Sequence, residues 1–444
     1  MKAFGIAQVL LCASVASAAF APTPTHEEHA HVSRRRTDKR WYHESDHPVH
    51  KLFSRGDGDL PEVGSPEWQA PYPTSTPVTS DIPQDWLDAL KAAVDAGKIP
   101  DIPIPTIVDD SPVYPAGSDP NGPEICSAFE KCRSDDIIWD APDNTFGVGF
   151  DDGPYEGTDL LMDFLESQNQ SATHFVIGMY ILFNPDGFMR LFNAGDDIAV
   201  HTWTHPHMSS LSNEDLVAQF GYTMQIIHDS TGGRVPRYWR PPYGDADNRV
   251  FAIAKEVFGM EAILWNQDTE DWSLTTGGTT PEKINASMTE WLTGPKSPGL
   301  IVLEHELSNA SSQAFIDAYP VMLQNGWETV SVVELAPNFA GTYQNSEDNT
   351  ADVTSASILA VASTPASASG SESSSMSGSS TGSASGTTTG SATHVGTGTA
   401  SANPSGTSAA DSTSSNSNAG HSLQTPLNLA AMLPLALTGF LFAA

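Results

Sequence analysis

The sequence predicts an α/β fold built on a parallel sheet, open or closed into a barrel. Two observations carry this. Short apolar runs alternate with stretches of helical period between about residues 137 and 337, one domain's length of chain. Most of the polar clusters in that span sit just past the end of an apolar run. In parallel α/β folds those strand ends converge on one face, so clusters far apart in sequence can share a pocket.

The elements follow in order. Residues 146–150 read as a strand and 159–166 as a helix with one apolar face. Residues 172–177 are a strand, 188–193 a helix and 197–201 a strand. Residues 214–229 are helical behind an Asn213 cap, and 246–258 are helical. Residues 262–265 are extended, 282–292 helical after Pro281, 300–305 a buried strand and 313–323 the helix that follows. Upstream, residues 81–98 have the pattern of one amphipathic helix and 99–123 are rich in proline. We assign 41–136 as an accessory region that wraps against the main domain, 137–340, without forming a domain of its own.

The two ends read differently. Lys2, an apolar run over 6–13 and the small residues Ala16-Ser17-Ala18 mark residues 1–18 as a secretory signal. Lys39-Arg40 is a dibasic site, so 19–40 is either a pro-segment or an uncut arm. Residues 341–420 are dominated by Ser, Thr, Gly and Ala, which cannot bury enough apolar area to offset chain entropy, so a disordered, O-glycosylated stalk is expected. Asn418-Ala419-Gly420, a spacer and an apolar tail over 429–444 have the order of a GPI-anchor signal, with 421–444 removed and Asn418 the attachment residue. A single-pass helix fits less well, because Pro434 interrupts the tail and no basic cluster follows.

With Cys12 in the signal, Cys126 and Cys132 remain as an even pair in an oxidising compartment and are expected to form a disulfide. Sequons at Asn169, Asn285 and Asn309 fit the same route. The net charge is -34, with six of the 20 basic residues in the first 40 positions, which makes nucleic acid and anionic lipid poor partners. A neutral or cationic polymer is tolerated by such a surface, and solubility alone also accounts for it.

Five polar clusters then stand in line. Asp151-Asp152 end a strand before Gly153-Pro154; side chains alternate along an extended chain, so one carboxylate can ligate a metal while the other addresses a water. Taken alone, the same residues are an ordinary Asx turn. His201 and His205, spaced i and i+4, can face one ion, and His207 is structural or lies on the rim. Arg240-Pro241-Pro242-Tyr243-Gly244 is a rigid loop in which Arg240 can fork onto a carboxylate and the Tyr243 N–H can be a fixed donor. Asp268 and His305 each close a strand run, so Asp268 can raise and orient His305. Trp272 either walls a sugar-sized pocket or packs in the core.

This ordered set resembles the NodB-homology polysaccharide deacetylases of carbohydrate esterase family four, across about residues 137–337, and within them the fungal GPI-anchored chitin deacetylases. One position departs from the pattern: Gly149 stands where the family usually has Thr before Phe150-Asp151-Asp152. The resemblance implies a distorted (β/α) barrel of the NodB-homology type with fewer than eight strands. It implies one divalent metal, Zn²⁺ first and Co²⁺ second, on Asp152, His201 and His205. Asp151 would be the base oriented by Arg240, Tyr243 the oxyanion donor, Trp272 a substrate contact, and His305 the acid tuned by Asp268. The implied reaction is hydrolysis of a linear amide, the N-acetyl groups of chitin, by a monomer held at the plasma membrane and cell wall. A deacetylase of another acetylated polysaccharide or of partly deacetylated chitosan, or a silent wall-binding protein, remains as an alternative.

Overall fold

The computed structural model describes residues 41–53, 60–337 and 339–354. The signal, the 19–40 segment, the GPI signal with Asn418 and the stalk from residue 355 onward therefore lie outside the described residues. Among the described residues no helix is long and apolar enough to cross a membrane.

β1 (Thr106–Val108) and β2 (Ser111–Val113) form a small antiparallel hairpin within the proline-rich stretch. The main sheet holds β3 (Thr145–Gly153), β4 (Thr173–Val176), β5 (Asp197–Val200), β6 (Tyr238–Trp239), β7 (Glu261–Ala262), β8 (Gln267–Asp268), β9 (Leu300–Leu303) and β10 (Glu328–Ser331). All its pairings are parallel, in the order β7-β6-β5-β4-β3-β9-β8, with β10 branching onto β3. The barrel is thus corrected to eight strands, seven of them on one path. β3 takes three partners because it is long: its first half pairs with β10 and β9, and its second half with β4. Phe146, Val148 and Phe150 on it are fully buried, as expected of a strand covered on both faces.

Helices Thr158–Gln168, Pro185–Ala194, Asn213–Ser230, Asn248–Glu256, Pro281–Thr293 and Asn309–Gln324 connect the strands. Local chemistry sets their ends. Asn184 caps Gly187 and Pro185 opens the second helix, while Gly195 closes it in the left-handed region. The cap of the 213–230 helix is Ser212, which accepts from the Asp215 N–H, and not Asn213 as the sequence suggested.

The accessory region packs on the outside of this frame. Helix Gln84–Asp95 lays Trp86 over Gly221, where an added Cβ would stand 2.4 Å from the indole. Trp68 donates to Ser230 Oγ at 3.1 Å and Tyr72 to Asp229 Oδ2 at 2.6 Å, so two aromatic residues from this region clasp the end of the 213–230 helix. Cys126 and Cys132 are joined, with Cα atoms 5.1 Å apart. Asn169, Asn285 and Asn309 are all exposed.

The folded part continues past the boundary expected at residue 340. Tyr343 is buried and bridges Pro236, and the Gln344 N–H donates to the Val235 carbonyl at 2.8 Å. Asn345 and Asn349 also tie this segment to the domain, through Gly233, Phe192 and Asp196 carbonyls. Tyr343, Gln344 and Asn345 lie ahead of the Ser/Thr-rich composition, and they behave as core.

Candidate active site

β3 delivers Asp151 and Asp152, β5 is followed by His201, β6 by Arg240, and β9 by His305. The sheet itself aligns the first and last of these. Asp151 and His305 form a parallel bridge: the Asp151 N–H donates to the Glu304 carbonyl at 3.0 Å, and the Glu306 N–H to the Asp151 carbonyl at 3.1 Å. Immediately after Asp151 the register of β3 shifts and Asp152 turns left-handed, with φ 68°. That kink turns the second carboxylate toward the same site as the first, which strand alternation would not: Asp151 Oδ2 lies 3.8 Å and Asp152 Oδ1 3.4 Å from His201 Nε2.

Asp152 Oδ1 lies 3.4 Å from His201 Nε2 and 3.3 Å from His205 Nε2. These three residues form the metal-competent cluster among the described residues, and Asp152 Oδ1 is buried with no hydrogen-bond partner in the protein. Donors held about 2.0–2.1 Å from one tetrahedral ion stand about 3.3–3.4 Å apart, so the donor set fits a small divalent ion. His201 Nδ1 pairs with the Arg240 carbonyl at 2.8 Å, which leaves Nε2 for an ion. Burial pushes His205 down to about 4, so it is a neutral imidazole near pH 7. Burial would raise Asp152, but the His205 and His201 imidazoles, with His305, override it and hold the carboxyl below its ordinary range.

Asp151 points its Oδ1 at Arg240 Nη1, 2.7 Å away. Arg240 is fully buried, its guanidinium 4.0 Å from the Phe175 ring centroid and bonded to the Ile263 and Leu264 carbonyls. A charge held this rigidly fixes the carboxylate it pairs with.

The residue that tunes His305 is Asp271, not Asp268. Asp271 Oδ1 meets His305 Nδ1 at 2.6 Å and Oδ2 accepts the His305 N–H at 2.8 Å. Asp268 is exposed and accepts from the Glu270 N–H. Glu270 is left-handed at φ 55°, and that turn brings Asp271 back under the ring. Burial would lower the His305 imidazole; the Asp271 carboxylate overrides it and pushes it up to about 10. Asp271 stood in the same sequence cluster, but nothing in an extended reading places it ahead of Asp268.

Two aromatic residues rim the cluster. Trp272 is 51% exposed, which removes the core-packing reading. Tyr243 is 47% exposed and left-handed at φ 59°, its edge against His205 with ring centroids 4.6 Å apart. Of the non-glycine residues with positive φ, Asp152, Thr202, His205, Tyr243 and Glu270 all surround this site. Sparsely populated backbone persists where the surroundings over-determine it, and it concentrates at functional sites.

One buried pair was not visible in the sequence. His174 on β4 meets Glu306 Oε1 at 2.7 Å and faces Asp196 Oδ2 at 3.4 Å, while Thr158 donates to Glu306 Oε2 at 2.5 Å. Burial would lower His174, but Glu306 and Asp196 push it up to about 10. Glu306 lies directly under the turn after Asp152: a Cβ on Gly153 would fall 2.0 Å from its Oε1. The Gly149 departure is also explained by space, since a Cβ there would meet Val332 Cγ2 at 3.0 Å and the Thr173 carbonyl at 3.2 Å.

A polysaccharide deacetylase family model matches residues 140–263. Chitin deacetylase 3 of Cryptococcus neoformans var. neoformans serotype D is 40% identical over 302 residues, 66% of this chain and 72% of that protein. The chitin deacetylase of Amylomyces rouxii is 33% identical over 271 residues, 58% of this chain and 63% of that protein. Among solved structures, the chitin deacetylase from the fungal pathogen Colletotrichum lindemuthianum matches with a TM-score of 0.42 and 25% identity, over 47% of this chain and 94% of that one. With a named relative matched at 40% identity over 72% of its length, and a family model laid across the strands that carry Asp151, His201 and Arg240, the chain belongs to the polysaccharide deacetylase family.

Proposed function

We propose that the protein hydrolyses the N-acetyl groups of N-acetylglucosamine units in chitin, giving acetate and chitosan at the fungal cell surface. The observation that carries this reading is the convergence of three sets on one rim: the Asp152–His201–His205 donors, the Asp151–Arg240 pair and the His305–Asp271 pair. A binding module has no use for a metal site beside both a base and an acid.

Asp152, His201 and His205 would hold a divalent ion, Zn²⁺ in this reading with Co²⁺ as the alternative, which would supply Lewis acidity to the attacking water and the amide carbonyl. Asp151 accepts the proton of the attacking water, held in place by Arg240 at 2.7 Å. The Tyr243 N–H donates to the oxygen that gains charge as the carbonyl carbon becomes tetrahedral. His305, protonated at neutral pH because Asp271 stabilises its imidazolium, gives its Nε2 proton to the departing amine. The exposed Trp272 offers an apolar face to a sugar ring. A GPI anchor at Asn418 would keep this chemistry at the membrane and wall.

The test is acetate release from chitin oligomers, partly deacetylated chitosan and acetylated xylan in parallel, before and after chelation. Chelator-sensitive release from chitin oligomers supports the reading; release from xylan alone overturns it.

A further inference from the structure

His207 stacks on the Tyr243 ring with centroids 4.1 Å apart and an interplanar angle of 11°. Its Nδ1 meets Asp245 Oδ2 at 3.2 Å, and Asp245 is fully buried. Tyr243 and Asp245 belong to one turn, closed by the Gly244 and Asp245 N–H groups on the Pro241 and Pro242 carbonyls. That turn therefore grips a single imidazole twice, by a ring on its face and by a carboxylate at its edge. The imidazole itself comes from the other loop of the site, two residues beyond His205.

Tyr243 needs such a grip. A tyrosine at φ 59° with Gly244 at φ 68° behind it is a backbone conformation that L side chains rarely adopt, and it holds only when neighbours fix it. The turn hydrogen bonds set its curvature, but they do not set its distance from the donor cluster. The His205 edge contact and the His207 stack do, and of the two only His207 is also tied to the far side of the same turn.

We propose that His207 is a positioning residue that locks the Tyr243 turn to the His201–His205 loop, setting the Tyr243 N–H at the right distance from the ion site. This rests on the deacetylase reading above. It follows that His207 serves the transition state and not substrate capture.

The experiment compares His207→Ala, His207→Phe/Asp245→Asn and the parent enzyme, all as full folded chains loaded with Zn²⁺. His207→Ala is expected to lower kcat about 10- to 100-fold with KM within about twofold, the size of effect expected when a catalytic group is misplaced by about 1 Å. Bound metal should stay at the parental value, and the fall in melting temperature from the unpaired Asp245 should be reversed in the double variant while the chain stays folded at the assay temperature. His207→Phe/Asp245→Asn keeps a ring to stack and removes the carboxylate that would be left unpaired, so it should recover kcat to within about fivefold of the parent. An unchanged kcat in His207→Ala overturns the proposal, as does a loss that only tracks lost metal or lost fold. A crystal structure of His207→Ala needs no turnover: departure of Tyr243 from the left-handed region supports the proposal, and an unmoved turn overturns it. Absence of acetate release from the parent enzyme would instead count against the deacetylase reading, and the structural comparison would still decide on His207.

Discussion

Asp151 and His305 sit side by side as a parallel bridge, because Asp151 is joined by two backbone hydrogen bonds of 3.0 and 3.1 Å to Glu304 and Glu306, the neighbours of His305. The proposed base and the proposed acid thus take their spacing from sheet register, which is stiffer than any loop. Side chains on the two are then held separately, Asp151 by Arg240 and His305 by Asp271. A reaction that moves a proton from water to one group and from the other to an amine benefits from such fixed separation.

Asp151→Asn should leave the ion site intact and reduce acetate release by about two to four orders of magnitude, the usual size of a general-base contribution. Metal content by atomic emission and kcat on chitin oligomers measure the two separately. Turnover near the parental level with full metal would move the base elsewhere.

Asp271→Asn and Asp268→Asn should behave very differently. The first removes the charge that raises His305, so kcat should fall about 100-fold or more. The acid works only while protonated, so activity is lost as pH rises through its pKa. Without Asp271 that alkaline limb should move to lower pH. Asp268→Asn should stay within a few-fold of the parent, because Asp268 is exposed and bonded only locally. Equal losses in the two variants would contradict the pairing seen here.

His174 makes a stability prediction that is independent of catalysis. Its folded-state pKa is raised from 6.5 to about 10, so its contribution is complete below pH 6.5 and is lost as pH climbs through 10. Urea unfolding at pH 6, 8 and 10 should show declining stability in the parent. His305 acts in the same window, so the comparison that matters is with His174→Leu. That variant should be less stable by about 3–5 kcal/mol at pH 6, with Glu306 and Asp196 left buried, and its pH slope should be shallower. Parallel slopes would mean that His174 is not an imidazolium in the fold.

Much of this was legible in the sequence, for a physical reason. β3, β4, β5 and β9 are buried strands that read as apolar runs, and the residues that follow them fell where strand-end reasoning placed them. β10 was not found, because Glu328–Ser331 is half exposed and has no apolar run; β8 is two partly exposed residues. Asp268 was preferred to Asp271 because an extended reading cannot anticipate a left-handed Glu270. The His174–Glu306 pair joins residues 132 apart, and only the pairing of strands brings them together. The Tyr343–Asn345 segment was merged with the stalk because composition changes gradually there, while residues 341–346 are all buried.

That last difference can be measured. A chain ended at residue 340 loses buried Tyr343 and the Gln344 and Asn345 hydrogen bonds, and should be less stable by about 3–5 kcal/mol. A chain ended at residue 354 should unfold at the same urea concentration as one ended at residue 420. Equal midpoints for the 340 and 354 versions would show that the segment only decorates the surface.

The left-handed residues around the site also bear on how this enzyme can be hardened for use. Replacing a strained residue by glycine or asparagine is an ordinary route to thermal tolerance, and Glu270, exposed and without a role in the chemistry, is open to it. Asp152, His205 and Tyr243 are closed to it, because their side chains or amides are what the strained backbone presents. Further gains of this kind belong at the left-handed residues away from the site, such as Asp109 and Lys131, where shape and chemistry do not compete.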